Sequence, residues 1–124
     1  METQDGQILE HREHTDWLRS LNFYQDEIKF FQTTLILVLR KNMNSMSVVE
    51  LVEEYRRIFM RKLRNIDDLR YQILIHEKRF SISDKGDNIA HATDHVTVRN
   101  QIDHFISEFE SMKKSFKRFA AHHN

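Results

Sequence analysis

No proline occurs anywhere in the 124 residues, and that absence constrains the fold more than any other feature. A proline inside a helix removes an amide donor and clashes with the preceding turn. A chain without one can run its helices as far as their apolar periodicity extends. The two glycines, Gly6 and Gly86, lie outside the apolar-periodic segments, where they punctuate rather than break.

Three segments carry helical rather than alternating periodicity. The first runs from about Ile8 to Lys41, with Trp17, Leu21, Tyr24, Ile28, Phe31, Leu35 and Val38 on one stripe. The second runs from about Val48 to Phe80, with Val52, Tyr55, Phe59, Leu63, Ile66, Leu69 and Ile73 inward. Ser47 and Glu50 have the spacing of a capping box, which marks its start. The third runs from Ile89 or Thr93 to His122, with Val98, Ile102, Phe105, Phe109, Met112, Phe116 and Phe119 inward. The connections Asn42–Ser47 and Ser81–Asn88 are short and polar, so successive helices should run antiparallel. The pattern predicts an all-α fold: one domain, an up-down-up bundle of three helices, each about 50 Å long at roughly 1.5 Å per residue.

Composition excludes several function classes. Nineteen basic and nineteen acidic residues leave a formal charge of zero, so no global field favours nucleic acid or an anionic membrane. The basic stretch YRRIFMRKLR (55–64), with Lys113, Lys114, Lys117 and Arg118 near it, lies among carboxylates at ion-pairing spacings and reads as a solvated helix face rather than a nucleic-acid site. There is no cysteine, which excludes thiolate chemistry and fits a reducing cytoplasm. The start METQDGQILEH is polar and acidic, unlike a signal or transit peptide. The longest apolar run, Leu35 to Leu39, is far too short to span a bilayer. A soluble, cytoplasmic protein is expected.

Extended to their ends, the seams bring histidines inward. On helix one the line through Ile28 and Leu21 continues back to His14, with Glu10 one turn earlier. On helix two, seven residues after Leu69 is His76, with Glu77 beside it. On helix three, seven before Ile102 is His95, and seven before Val98 is His91. In an antiparallel trio these ends share one pole, so His14, His76, His91 and His95 should occupy adjacent interior layers, with His11, Glu10, Glu77 and Asp94 at the rim. Imidazole suits Zn, Cu, Fe and Ni, and a carboxylate can complete the shell. His14, His76, His91, His95 and Glu10 are therefore candidate metal ligands, for Zn or Fe. The competing reading is a partly wet, pH-sensitive polar pole whose histidines bond water or helix-end carbonyls.

A catalytic centre is not expected. The ferritin-like di-iron pattern needs Glu-x-x-His on two helices, and the chain contains neither that motif nor His-Glu-x-x-His. The ligand types are those of a hemerythrin-like protein without its helix-by-helix pattern. No serine or threonine stands beside a histidine and an acid as a nucleophile would. The segments HTDWLRSLNFY (14–24), IDDL (66–69) and DHVTVR (94–99) resemble a pattern of small uncharacterised all-helical bacterial proteins. That resemblance implies a helical architecture and singles out His14, Trp17, His95 and Arg99, but it transfers no function.

Helix one also carries Phe23, Phe30 and Leu37, recurring every seven residues beside the main seam, with Ile36 and Leu39 widening the arc. Either the bundle is irregular and these are core, or they face water and cover one another in a homodimer. The second alternative predicts a non-catalytic, self-associating interaction module with a histidine-rich pole.

Overall fold

The computed structural model describes the backbone of residues 2–82 and 88–124 and the side chains of residues 9–78 and 94–124. It consists of three helices, α1 (Glu2–Lys41), α2 (Met46–Ile82) and α3 (Asn88–His123). The expected all-α bundle is the observed one, and no strand occurs among the described residues. Cross-helix contacts fix the directions. His11 meets Glu77 and Arg70 meets Asn22 and Gln25, so α1 and α2 are antiparallel. Partners advance together between α1 and α3, where Glu13 meets Arg99 and Glu27 meets Lys113, so these two are parallel.

The turn between α1 and α2 is tighter than the sequence suggests. The Ser45 amide donates to the Asn42 carbonyl (3.0 Å), and the Val49 amide donates to the Ser45 carbonyl (3.0 Å). Ser45 is thus the residue at which α2 begins, and Ser47 lies inside the first turn, its hydroxyl 3.3 Å from that of Ser45. The Ser47/Glu50 capping box is replaced by this earlier start. Asn42 then joins two helix ends, donating through Nδ2 to the carbonyls of Val38 (2.8 Å) and His123 (2.7 Å). Terminal carbonyls lack intrahelical partners, and one asparagine satisfies one on each of two helices.

The interior follows strict three-four spacing, the geometry that keeps one stripe facing its partners along a long helix. Trp17, Leu21, Ile28, Phe31, Leu35 and Val38 are buried on α1, and Val98, Ile102, Phe105, Phe109 and Phe116 on α3. Tyr24, Tyr55, Met112 and Phe119 pack partly buried against them. On α2 one expected position is displaced. The spacing runs Val52, Tyr55, Phe59, Lys62, Ile66, Leu69, Ile73, so Lys62 is buried and Leu63 only half so. Lys62 accommodates this by laying its stem along the core: its Nζ stands 5.6 Å from the Phe105 ring centre and 3.0 Å from the Glu108 carboxylate at the rim.

The densest packing is aromatic. Phe116 stands 5.0 Å from both Phe31 and Phe59, ring centre to ring centre, joining all three helices. Truncating a buried phenylalanine loses its transfer free energy and leaves a cavity. Phe116→Ala is expected to lower unfolding free energy by about 3–5 kcal/mol, measured by urea denaturation. A loss within about 1 kcal/mol, below that range, would contradict this packing.

Candidate metal centre

Glu10 and His14 stand four residues apart on α1, a spacing that stacks side chains on one helical face. His76 is three residues beyond the core residue Ile73 on α2, and His95 three before the core residue Val98 on α3. Because α2 runs against the other two, these seam ends meet at one height. The three histidines are buried, with relative exposures of 1%, 4% and 6%. Their ring centres form a near-equilateral triangle: 5.1 Å for His14–His76, 5.1 Å for His76–His95 and 5.4 Å for His14–His95. With Glu10 they offer three nitrogens and one carboxylate oxygen within 4.8 Å of one another. The indole of Trp17, 5.5 Å from the His14 ring and 5.2 Å from that of His95, packs against both. A cleft of about 100 Å³ between α2 and α3 reaches His76 from the side, past Gln72, Asp94 and Thr97.

Hydrogen bonds indicate which nitrogens face inward. His95 Nε2 donates to the Glu13 carboxylate, which also accepts a 2.9 Å bond from Arg99. A carboxylate accepts only, so Nε2 carries a hydrogen, and in the neutral ring Nδ1 presents a lone pair. That Nδ1 is buried without a hydrogen-bond partner and lies 3.9 Å from a Glu10 oxygen. His14 Nε2 and His76 Nδ1 face each other at 3.1 Å. Two nitrogens 3.1 Å apart, each about 2.05 Å from a shared ion, subtend roughly 100°, between octahedral and tetrahedral geometry. The Glu10–His95 pair would close from 3.9 Å to about 3.4 Å in a tetrahedral shell. The donor set fits a divalent transition metal.

Electrostatics favour the ligand form of His14. Burial, reinforced by His76 and His95 and opposed by the Glu77 and Glu10 carboxylates, pushes the His14 imidazole down to about 4. It is therefore neutral near pH 7, as a ligand must be. Burial works to raise the Glu13 carboxyl, but hydrogen bonds from Arg99 and His95 outweigh it and hold the group below the usual carboxylate range. Glu13 thus stays an anion against His95, the carboxylate–imidazole arrangement that orients metal-bound histidines.

Of the ligands read from the sequence, the fold brings His14, His76, His95 and Glu10 together. The His91 side chain lies outside the described residues. At the rim, His11 and Asp94 are exposed, while Glu77 contacts His11 and comes within 3.9 Å of His14 Nδ1. Glu13 was missed. Its signal was present, since Glu13/Arg99 and Glu27/Lys113 are pairs with the same separation, fourteen residues apart, and so belong to one face two heptads along. Glu27 is held in an ion pair, its Oε2 accepting from Lys113 at 2.7 Å. No protein-family model, curated protein or solved structure matches the chain.

The depressed His14 value has a thermodynamic sign. Between pH 6.5, the ordinary histidine value, and about 4 in the folded protein, the unfolded chain binds the extra proton, so stability rises with pH. In the metal-free protein this contribution should be complete above pH 6.5 and drain away as pH falls toward 4. Chemical denaturation across that interval should show the slope, and His14→Gln should reduce it.

Proposed function

We propose that this protein is a transition-metal-binding helical bundle, its ion held by His14, His76, His95 and Glu10, with Zn²⁺ or Fe²⁺ as the leading candidates. The observation that carries this reading is the convergence of three buried imidazoles and a carboxylate, with His95 Nδ1 buried, without a hydrogen-bond partner and 3.9 Å from a Glu10 oxygen. Buried polar atoms are normally satisfied, and a cation among these four donor atoms would satisfy them. No helix among the described residues is long and apolar enough to cross a membrane, and with no cysteine in the chain imidazole and carboxylate are the metal ligands it can offer. The role proposed is binding rather than catalysis.

Titrating the purified protein with Zn²⁺ or Fe²⁺ should give one ion per chain and a raised melting temperature. Binding to the folded state alone stabilises by about 2.7 kcal/mol at a free concentration about one hundred times the dissociation constant. His95→Ala should abolish the shift. No binding and no shift in the wild type would refute the reading.

The exposed row on α1 favours a second, compatible reading, self-association as a homodimer. Phe23, Phe30 and Leu37 are 58%, 69% and 46% exposed, beside the buried stripe of the same helix, and covering such side chains stabilises by about 1.5–3 kcal/mol each. Light scattering at micromolar concentration should give twice the chain mass, and Phe30→Glu should return it to the monomer. A monomeric wild type would leave the row a solvent-facing stripe.

A further inference from the structure

The two buried histidine Nδ1 atoms without hydrogen-bond partners are not equivalent. His95 Nδ1 faces Glu10, and its other nitrogen is already held by Glu13. His14 is the reverse case. Its Nε2 faces His76 Nδ1 at 3.1 Å, leaving Nδ1 on the outer side, 3.9 Å from Glu77 Oε1. That same oxygen contacts Nδ1 of His11, one turn earlier on α1. One carboxylate oxygen therefore stands between two imidazoles, bonded to the exposed one and just short of the buried one.

We propose, resting on the metal-binding reading, that Glu77 is the outer carboxylate of His14 and passes from His11 to His14 Nδ1 when a divalent transition metal binds. An imidazole nitrogen bonded to an ion gives it a lone pair, so the hydrogen of a neutral ring resides on the other nitrogen. On this assignment Nδ1 of the metal-free protein is bare beside the carboxylate, consistent with the 3.9 Å separation, and the His14 hydrogen is on Nε2, toward His76. With an ion between Nε2 and His76 Nδ1, that hydrogen moves to Nδ1, with no net change in the charge of the ring. A buried N–H left unmatched carries a full desolvation penalty. Glu77 is the carboxylate that can remove it, and closing to hydrogen-bond range requires a shift of about 1 Å. The contact it leaves is a weak one, because His11 is 69% exposed and exposed pairs contribute little. The result would give His14 the support His95 already has from Glu13, one outer carboxylate per ring. It would also release His11 at the surface, so occupancy of a buried site is read out on the rim between α1 and α2.

The test uses the full chain and Zn²⁺ alone. Long-range ¹⁵N–¹H spectra of the imidazoles should show the His14 hydrogen on Nε2 without metal and on Nδ1 with it, with the His11 Nδ1 resonance shifting on loading. Glu77→Ala should weaken Zn²⁺ binding by 10–100-fold, the usual cost of losing an outer partner, and Glu77→Gln, whose carbonyl still accepts, should recover most of the loss. His11→Ala removes the competitor, so its affinity should rise a few-fold, an outcome that a merely structural Glu77 would not produce. Zn²⁺ bound as tightly by Glu77→Ala as by the wild type, or a His14 hydrogen that stays on Nε2 in the loaded protein, would overturn the transfer while leaving the metal site intact. A wild type that binds no Zn²⁺ would overturn both.

Discussion

Every layer of a three-helix interior has to be filled from three sides at once, and heptad spacing decides which residue each helix offers. With no proline to end a helix early, the seams of this protein continue beyond the apolar core into its polar ends. Phenylalanine fills the middle layers, where Phe31, Phe59, Phe109 and Phe116 meet. At one pole the same spacing offers His14, His76 and His95. The rings pack as the aromatic layers do, but their nitrogens bring a hydrogen-bonding demand that phenylalanine lacks.

Two polar intrusions into the seam are handled differently. Lys62 occupies an interior position on α2, yet its amine escapes to Glu108 at the edge, because a flexible four-carbon stem lets the charge stay near water. Histidine has no such reach. Its ring must stay where the backbone puts it, so burial acts on the ring itself and favours the neutral form, as at His14. Two ring nitrogens, Nδ1 of His14 and Nδ1 of His95, are left buried without hydrogen-bond partners. Carboxylates act from outside: Glu13 bonds His95 Nε2, and Glu77 comes within 3.9 Å of His14 Nδ1. A cation would act from within.

The outward face of α1 poses the complementary problem. Phe23 and Phe30 lie almost opposite Leu21 and Ile28 on the helix, so no adjustment of the intramolecular packing can bury both sets. The two proposed readings thus rest on separate parts of this molecule, a polar pole inside the bundle and an apolar stripe outside it. α1 contributes to both.

Sequence alone determined the helices, their antiparallel order and the inward direction of His14, His76 and His95, because these follow from a period of three and four that one residue's neighbours cannot alter. It also exposed the ambiguity of the Phe23/Phe30/Leu37 row without resolving it, since whether an arc is covered depends on how widely three helices close. Tertiary structure decided that the row faces solvent, that Lys62 rather than Leu63 takes the seam, and that Ser45 opens α2. Above all it decided the roles of the carboxylates. Glu10, Glu13 and Glu77 lie within one turn of a histidine on their own helices, and spacing cannot rank them. Their tasks depend on the helix across the interface: Glu10 converges with the imidazoles, Glu13 is claimed by Arg99 and His95, and Glu77 is shared between His11 and His14. Periodicity gives a direction around one helix axis, whereas a ligand shell depends on distances between axes.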